Sequence, residues 1–323
     1  MITKPTVLIL GAGASIPYGY PSGSRLVQDL YGYMGNSGWI IPLLQSGVTE
    51  NEIARFRNEL YLSQQPSVDA FLEQRVEYVR IGKLSIALEL LYLEDQDMLF
   101  KFETRNKGCY HYLFNQLNAG WDKFGENKLS IITFNYDRSL EHFLYTALKY
   151  TYNKPDNSTC EMIQKIPIIH VHGWLGPLEW QESGGRPYMK PFNDIPQSSI
   201  SAAQLQFAAE QILVLSEGKK ATSEYNKAFD YLKDAQRIYF LGFGYHPQNM
   251  ERLRLHELNC ADDLLSNPGI FLDPRHIRPI RYRGSAYGLG KAQIETLQNQ
   301  WHIGLPDETC DSLEFLKEYT LLD

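Results

Sequence analysis

Everything about the architecture of this chain turns on Thr6-Val7-Leu8-Ile9-Leu10-Gly11-Ala12-Gly13-Ala14-Ser15. Val7 to Leu10 are four apolar residues in a row, the pattern of a parallel strand buried on both faces. Gly11 to Ser15 are all small, so the chain can turn sharply there and bring unobstructed N–H groups close to an anion. By its physics this is a cradle for a nucleotide diphosphate. It is not the fingerprint of an ordinary dehydrogenase. Ile16 stands where a third glycine would be, and Asp29, the acidic residue nearest the expected spacing, falls within a helical pattern.

With 323 residues, 43% of them hydrophobic, the chain can bury a sizeable core as one large domain or two modest ones. No apolar run reaches the roughly 18 residues of a membrane span. The N-terminus leads directly into the strand without a signal-peptide layout, so a cytoplasmic protein is expected. Cys109, Cys160, Cys260 and Cys310 lie far apart in sequence and predict buried free thiols rather than a disulfide framework or a zinc knuckle. A net charge of −7 offers no general attraction to nucleic acid.

Further strands are expected at Leu129–Phe134, Ile166–Val171, Arg237–Leu241 and Ile277–Tyr282. Helical spacing marks the segment after Ser22 or Ser24, nearly all of 51–117, the stretch after Asp137, 202–215, 223–232 and 291–301. Ile53, Phe56 and Leu60 form one apolar stripe of the long helical region; Val68, Phe71 and Leu72 begin another behind Ser67. Trp174–Ser199 is rich in Gly and Pro and reads as a surface excursion. Strands alternating with helices predict a doubly wound parallel sheet, which binds ligands outside the carboxyl ends of its strands. That rule gathers Gly11–Ser15, Asn135–Asp137, His172 and Gly242–Tyr245 around one crevice. The division expected is a nucleotide-binding domain over 1–34 and 128–300, a helical insert over 35–127 and a C-terminal tail, 301–323, packed on the domain.

Several residues there have two readings. Asn135 and Asp137, two apart, could hold a water, a ribose hydroxyl or a carboxamide; equally, they could form a turn capping the next helix. His172 suits general-base work at a strand end, or it is a satisfied core residue. His170 with His172 has the spacing of two metal ligands, yet no further ligand is recognisable nearby. Arg275, Arg278, Arg281 and Arg283 read as a solvated strand edge, or as contacts for a cofactor's phosphates or an acidic partner.

Four motifs in order resemble the sirtuin superfamily: Gly11-Ala12-Gly13-Ala14-Ser15 with Gly19-Tyr20-Pro21, Thr133-Phe134-Asn135-Tyr136-Asp137, His172-Gly173, and Gly242-Phe243-Gly244-Tyr245. Ser22-Gly23-Ser24-Arg25 departs from the family's Asp-Phe-Arg, and the four-cysteine zinc module of the deacetylases is missing. The chain is therefore more similar to the zinc-free sirtuin-like domains of bacterial antiphage systems, which hydrolyse NAD+ to nicotinamide and ADP-ribose. The resemblance implies a Rossmann-like sheet of sirtuin type with a large helical insert. It also implies NAD+ as substrate without a metal, and a homo-oligomer working with a sensor such as a helicase or an Argonaute-type protein. It implies catalytic roles for Asn135, His172 and Asp137, and NAD+ contacts from Gly11, Ala12, Gly13, Ala14, Ser15, Arg25, Thr133, Gly242, Gly244 and Tyr245. Two other outcomes share these residues: transfer of ADP-ribose to an acceptor, as in a deacylase or ADP-ribosyltransferase, and binding of NAD+ or ADP-ribose without turnover.

Overall fold

The computed structural model describes residues 1–188, 200–214, 219–258 and 282–323. Six parallel strands, β1 Thr6–Leu10, β2 Leu129–Thr133, β3 Ile168–His170, β4 Arg237–Leu241, β5 Tyr282–Gly284 and β6 Ile303–Gly304, form one sheet in the order β3-β2-β1-β4-β5-β6. This is the order taken by doubly wound dinucleotide-binding sheets, with the direction of winding reversing between β1 and β4. The fold is α/β and Rossmann-like.

Why β1 is central follows from its side chains. All five of its residues are buried, and successive side chains point to opposite faces. Leu8 and Leu10 enter one core together with Ile131, Leu241 and the helices of 23–163. Val7 and Ile9 enter the other with Ile132, Phe240 and the helices over 219–234, 247–252 and 291–301. Burial of each such side chain stabilises the fold by about 1.5–3 kcal/mol. Leu10 is level with Thr133 and with Leu241, and Thr133 with His170, so four strands end side by side.

Between β1 and β2 run α1 Gly23–Tyr33, α2 Ile41–Gln45, α3 Glu50–Leu62, α4 Val68–Gln74, α5 Val79–Tyr92, α6 Gln96–Phe100, α7 Phe102–Arg105, α8 Tyr110–Leu117 and α9 Trp121–Phe124. Ser22 caps α1 by accepting from Arg25 N, and Ser67 caps α4 by accepting from Ala70 N. The stripe of Ile53, Phe56 and Leu60 is buried as its spacing predicts. The insert has no core of its own: its apolar side chains belong to the cluster that covers one face of the sheet. After β2 come α10 Ser139–Tyr152 and α11 Asp156–Ile163; α12 Ala202–Gln211 and α13 Lys219–Asp234 precede β4; α14 Pro247–Arg252 follows it; α15 Lys291–Trp301 and α16 Ser312–Glu318 complete the chain. No described helix is long and apolar enough to cross a membrane.

Three expectations need revision. Residues 174–188 are not a surface excursion, because Leu175, Leu178 and Arg186 are buried. Glycine and proline mark irregular backbone, and irregular backbone is what buried cations need: Gly176 O accepts from the Arg138 guanidinium, and Leu175 O from Arg186 Nε at 2.6 Å. The segment from 301 onward does more than pack on the domain, since Ile303–Gly304 pairs with β5 and extends the sheet. The fifth strand is Tyr282–Gly284; Ile277–Arg281 and Cys260 lie outside the described residues. Cys109, Cys160 and Cys310 are buried free thiols.

Candidate functional site

Two glycine turns interlock at the carboxyl end of the sheet. Gly11 N donates to Leu241 O at 3.0 Å and Gly13 N to Gly242 O at 2.9 Å, tying the turn after β1 to the turn after β4. A Cβ on Gly11 would lie 2.6 Å from Gly242 O, and one on Gly13 would lie 2.7 Å from Gly242 Cα. The small residues thus serve first to bring backbone against backbone. Ala14 N and Ser15 N close the turn on Gly11 O and Ala12 O. Four of the N–H groups expected to face a diphosphate are therefore spent within the fold. Those of Ala12, Phe243 and Gly244 have no acceptor among the described residues, and a Cβ on Gly244 would meet open space. Donors for an anion remain on both turns.

Asn135 and Asp137 meet at Ser15. The Asn135 side-chain amide donates to Gly11 O and to Ser15 Oγ, both at 3.0 Å, while Thr133 Oγ1 accepts from Asn135 N at 3.0 Å. With its two hydrogens spent, the amide presents only its oxygen. Asp137 is buried; Ser139 N donates to it at 3.0 Å, and the Ser139 and Ser15 hydroxyls lie against it. Burial pushes its carboxyl up, and the hydrogen bonds from Ser139 and Ser15 oppose that. Asp137 therefore forms the turn that leads into α10, whose N-cap is Arg138, without leaving the Asn135–Ser15 pair. The Tyr110 hydroxyl, 3.2 Å from Ser15 Oγ and 2.9 Å from Ser139 Oγ, closes the back of the group. Tyr20 and Tyr188, with hydroxyls 2.8 Å apart, flank Asp137 electrostatically.

The two histidines part company, because β3 ends at His170 and the chain turns. His170 Nδ1 lies 2.8 Å from Asn135 O and Nε2 lies 2.6 Å from Glu141 Oε1. Both neighbours are acceptors, so either ring nitrogen is placed to donate. Glu141 also takes Arg138 Nε at 3.0 Å, and Arg138, fully buried, stacks on Trp174 with its guanidinium carbon 4.0 Å from the ring centre. Burial alone would raise the Glu141 carboxyl, but Arg138 and His170 overcome it and hold it at about 2. His170 is thus a structural strut behind Asn135.

His172 is buried in an aromatic cage, its ring centre 5.2 Å from Phe134 and 6.2 Å from each of Tyr136 and Tyr225. Phe134 in turn packs on Phe243 of the second glycine turn at 4.8 Å. His172 Nε2 is 3.0 Å from the Tyr225 hydroxyl, and Nδ1 faces Asp69 Oδ1 at 3.9 Å. Burial, helped by nearby Arg252, pushes its pKa down to about 4, so the ring is neutral at pH 7. Burial pushes the Asp69 carboxyl up to about 7. His172 makes no hydrogen bond to Asn135 or Asp137; the rings of Phe134 and Tyr136, on either side of Asn135, connect them.

Not every expected residue joins this group. Arg25 is exposed on the first turn of α1 and pairs with Asp29 at 2.8 Å. Tyr245, at φ 51°, turns inward and donates to Ser285 O at 3.1 Å. Thr133 is buried and acts through Asn135 N. Arg283 donates to Tyr319 O at 3.0 Å, whereas Arg275, Arg278 and Arg281 lie outside the described residues. Conversely, Asp69, Glu73, Tyr225 and Arg252 were not singled out from the sequence. One trace of them was there: Asp69 and Glu73 are like charges one helical turn apart, an arrangement that disfavours a helix unless a cation lies against it.

Among the described residues no cluster of three or more His, Cys, Asp or Glu side chains could hold a metal ion. Cavities of about 660 and 690 Å3 open elsewhere, one between α5 and α12 and the other over Phe100 and Phe143. Neither is lined by Asn135, His172 or a glycine turn, so the convergence of polar groups, not volume, marks the site. The sequence matches no protein-family model, and no curated protein is significantly similar to it.

Proposed function

We propose that the carboxyl end of this sheet is a sirtuin-type site that hydrolyses NAD+ to nicotinamide and ADP-ribose. The observation that carries the reading is Asn135, whose amide bridges Gly11 and Ser15 and leaves its oxygen as an acceptor beside the strand ends. The residues present fit the dinucleotide. The N–H groups of Ala12, Phe243 and Gly244 would hold the diphosphate across the point where the sheet reverses its winding. Asn135 Oδ1 would accept from the attacking water. Asp137, whose Oδ1 accepts from Ser139, would accept from the nicotinamide carboxamide. His172, neutral at pH 7, would accept a proton from a ribose hydroxyl that takes the place of Tyr225 on Nε2.

In the reaction water adds its oxygen to the anomeric carbon and gives a proton back to that ribose oxygen, the bond to the pyridine nitrogen breaks with its electron pair, and the proton held by His172 is released to solvent. The resemblance in sequence adds a setting, an NAD+-depleting effector of antiphage defence that works as an oligomer with a sensor partner.

The test is nicotinamide release by the purified protein, alone and assembled with copurifying partners. NAD+ cleavage is expected, with Asn135→Ala and His172→Ala slower by about 10²–10⁴-fold. Full activity in either variant, or ADP-ribose recovered only on an acceptor, would contradict the assignment.

A further inference from the structure

The polar contacts around His172 form a ring that leaves one helix of the insert and returns to it. Glu73 on α4 takes Arg252 through both oxygens, at 3.0 and 2.8 Å. Arg252 also lies against the Tyr225 hydroxyl. Tyr225 reaches His172 Nε2, and His172 Nδ1 faces Asp69, one helical turn from Glu73 on the same face of α4. The donor inventory orients the hydrogens. A guanidinium only donates, so the Tyr225 oxygen accepts from Arg252 and its own proton goes to Nε2. A neutral His172 then carries its hydrogen on Nδ1, toward Asp69. The Tyr136 hydroxyl donates to the same carboxylate and holds it in place.

We propose that α4 of the helical insert is part of the active site, with Asp69 as the positioning residue that accepts from His172 Nδ1–H and fixes the tautomer whose Nε2 can take a proton. Glu73, through Arg252, holds Tyr225 over that nitrogen from the other side. The 3.9 Å between Nδ1 and Asp69 is longer than a hydrogen bond. Substrate seated on Nε2 is expected to close this gap to hydrogen-bond length. A helix of the insert thereby sets the chemistry of a strand-end side chain. The catalytic consequence rests on the NAD+ cleavage proposed above; the tautomer does not.

The experiment pairs nitrogen NMR of labelled histidine with steady-state kinetics on the full chain. The His172 signals are picked out from the eight histidines by their loss in His172→Gln. The wild type is expected to show a neutral ring with hydrogen on Nδ1. Asp69→Asn should move the hydrogen wholly or partly to Nε2 and lower kcat by about 10²-fold, with KM changed far less. Asp69→Glu should restore part of both. Glu73→Gln, which keeps Asp69, should leave Nδ1 protonated and serves if Asp69→Asn does not fold. An unchanged His172 signature and unchanged kcat in folded Asp69→Asn would overturn the proposal, as would a wild-type ring protonated on Nε2. Should the wild type release no nicotinamide, the hydrolase reading fails and the tautomer alone decides the role of α4.

Discussion

Alanine at position 242 is expected to unfold the protein or to destabilise it by more than about 4 kcal/mol. Gly242 sits at φ +57°, where a side chain alone costs about 1–2 kcal/mol. The collision is the larger effect. The added Cβ would fall on the Ala14 nitrogen and on Gly13, which are backbone and have no rotamer to yield. Nor can either turn retreat, because the hydrogen bonds from Gly11 and Gly13 pin them together and Ser285 Oγ accepts from Gly242 N at 2.9 Å. Urea denaturation measures the loss. Gly244→Ala, placed in open space two residues on, should stay within about 1 kcal/mol of the parent. Equal midpoints for the two variants would mean that the turns do not interlock as described.

Arg138→Met should cost about 3–5 kcal/mol, the range for breaking a buried ion pair by removing one partner. Methionine fills much of the volume but donates nothing. Gly176 O would lose its donor, Gln181 Oε1 would keep only Leu178 N, and Glu141 would keep His170 but lose its guanidinium. Because His170 in turn braces Asn135 O, part of the damage should reach the site: NAD+ cleavage should fall even where the variant remains folded. Arg138→Lys should rescue little, since an ammonium lacks the planar fork that reaches Glu141, Gly176 and Gln181 together while lying over Trp174. A loss below about 1 kcal/mol in urea would show the network to be dispensable.

How much of this was legible beforehand depends on the range of the forces involved. Arg237–Leu241 and Lys291–Trp301 match their elements to the residue, because apolar runs and helical spacing are local signals. The gathering of Gly11–Ser15, Asn135, His172 and Gly242 at one end of the sheet follows from topology, which alternation of strands and helices conveys. The partners of His172 do not follow from any local pattern. Asp69 and Tyr225 come from helices far to either side in the chain, and only packing brings them together. Tyr245 misleads for a different reason: it completes a glycine-rich motif, yet its left-handed backbone aims the side chain under the sheet. Gly176 and its neighbours look like surface loop because composition reports irregular backbone and is blind to two buried arginines.

Amide hydrogen exchange with and without saturating ADP-ribose tests most directly whether a dinucleotide lies across the strand ends. The N–H groups of Ala12, Phe243 and Gly244, which have no acceptor within the described protein, should exchange markedly more slowly when the ligand is present. Unchanged exchange at those three positions, or slowing confined to the cavity over Phe100 and Phe143, would contradict the account.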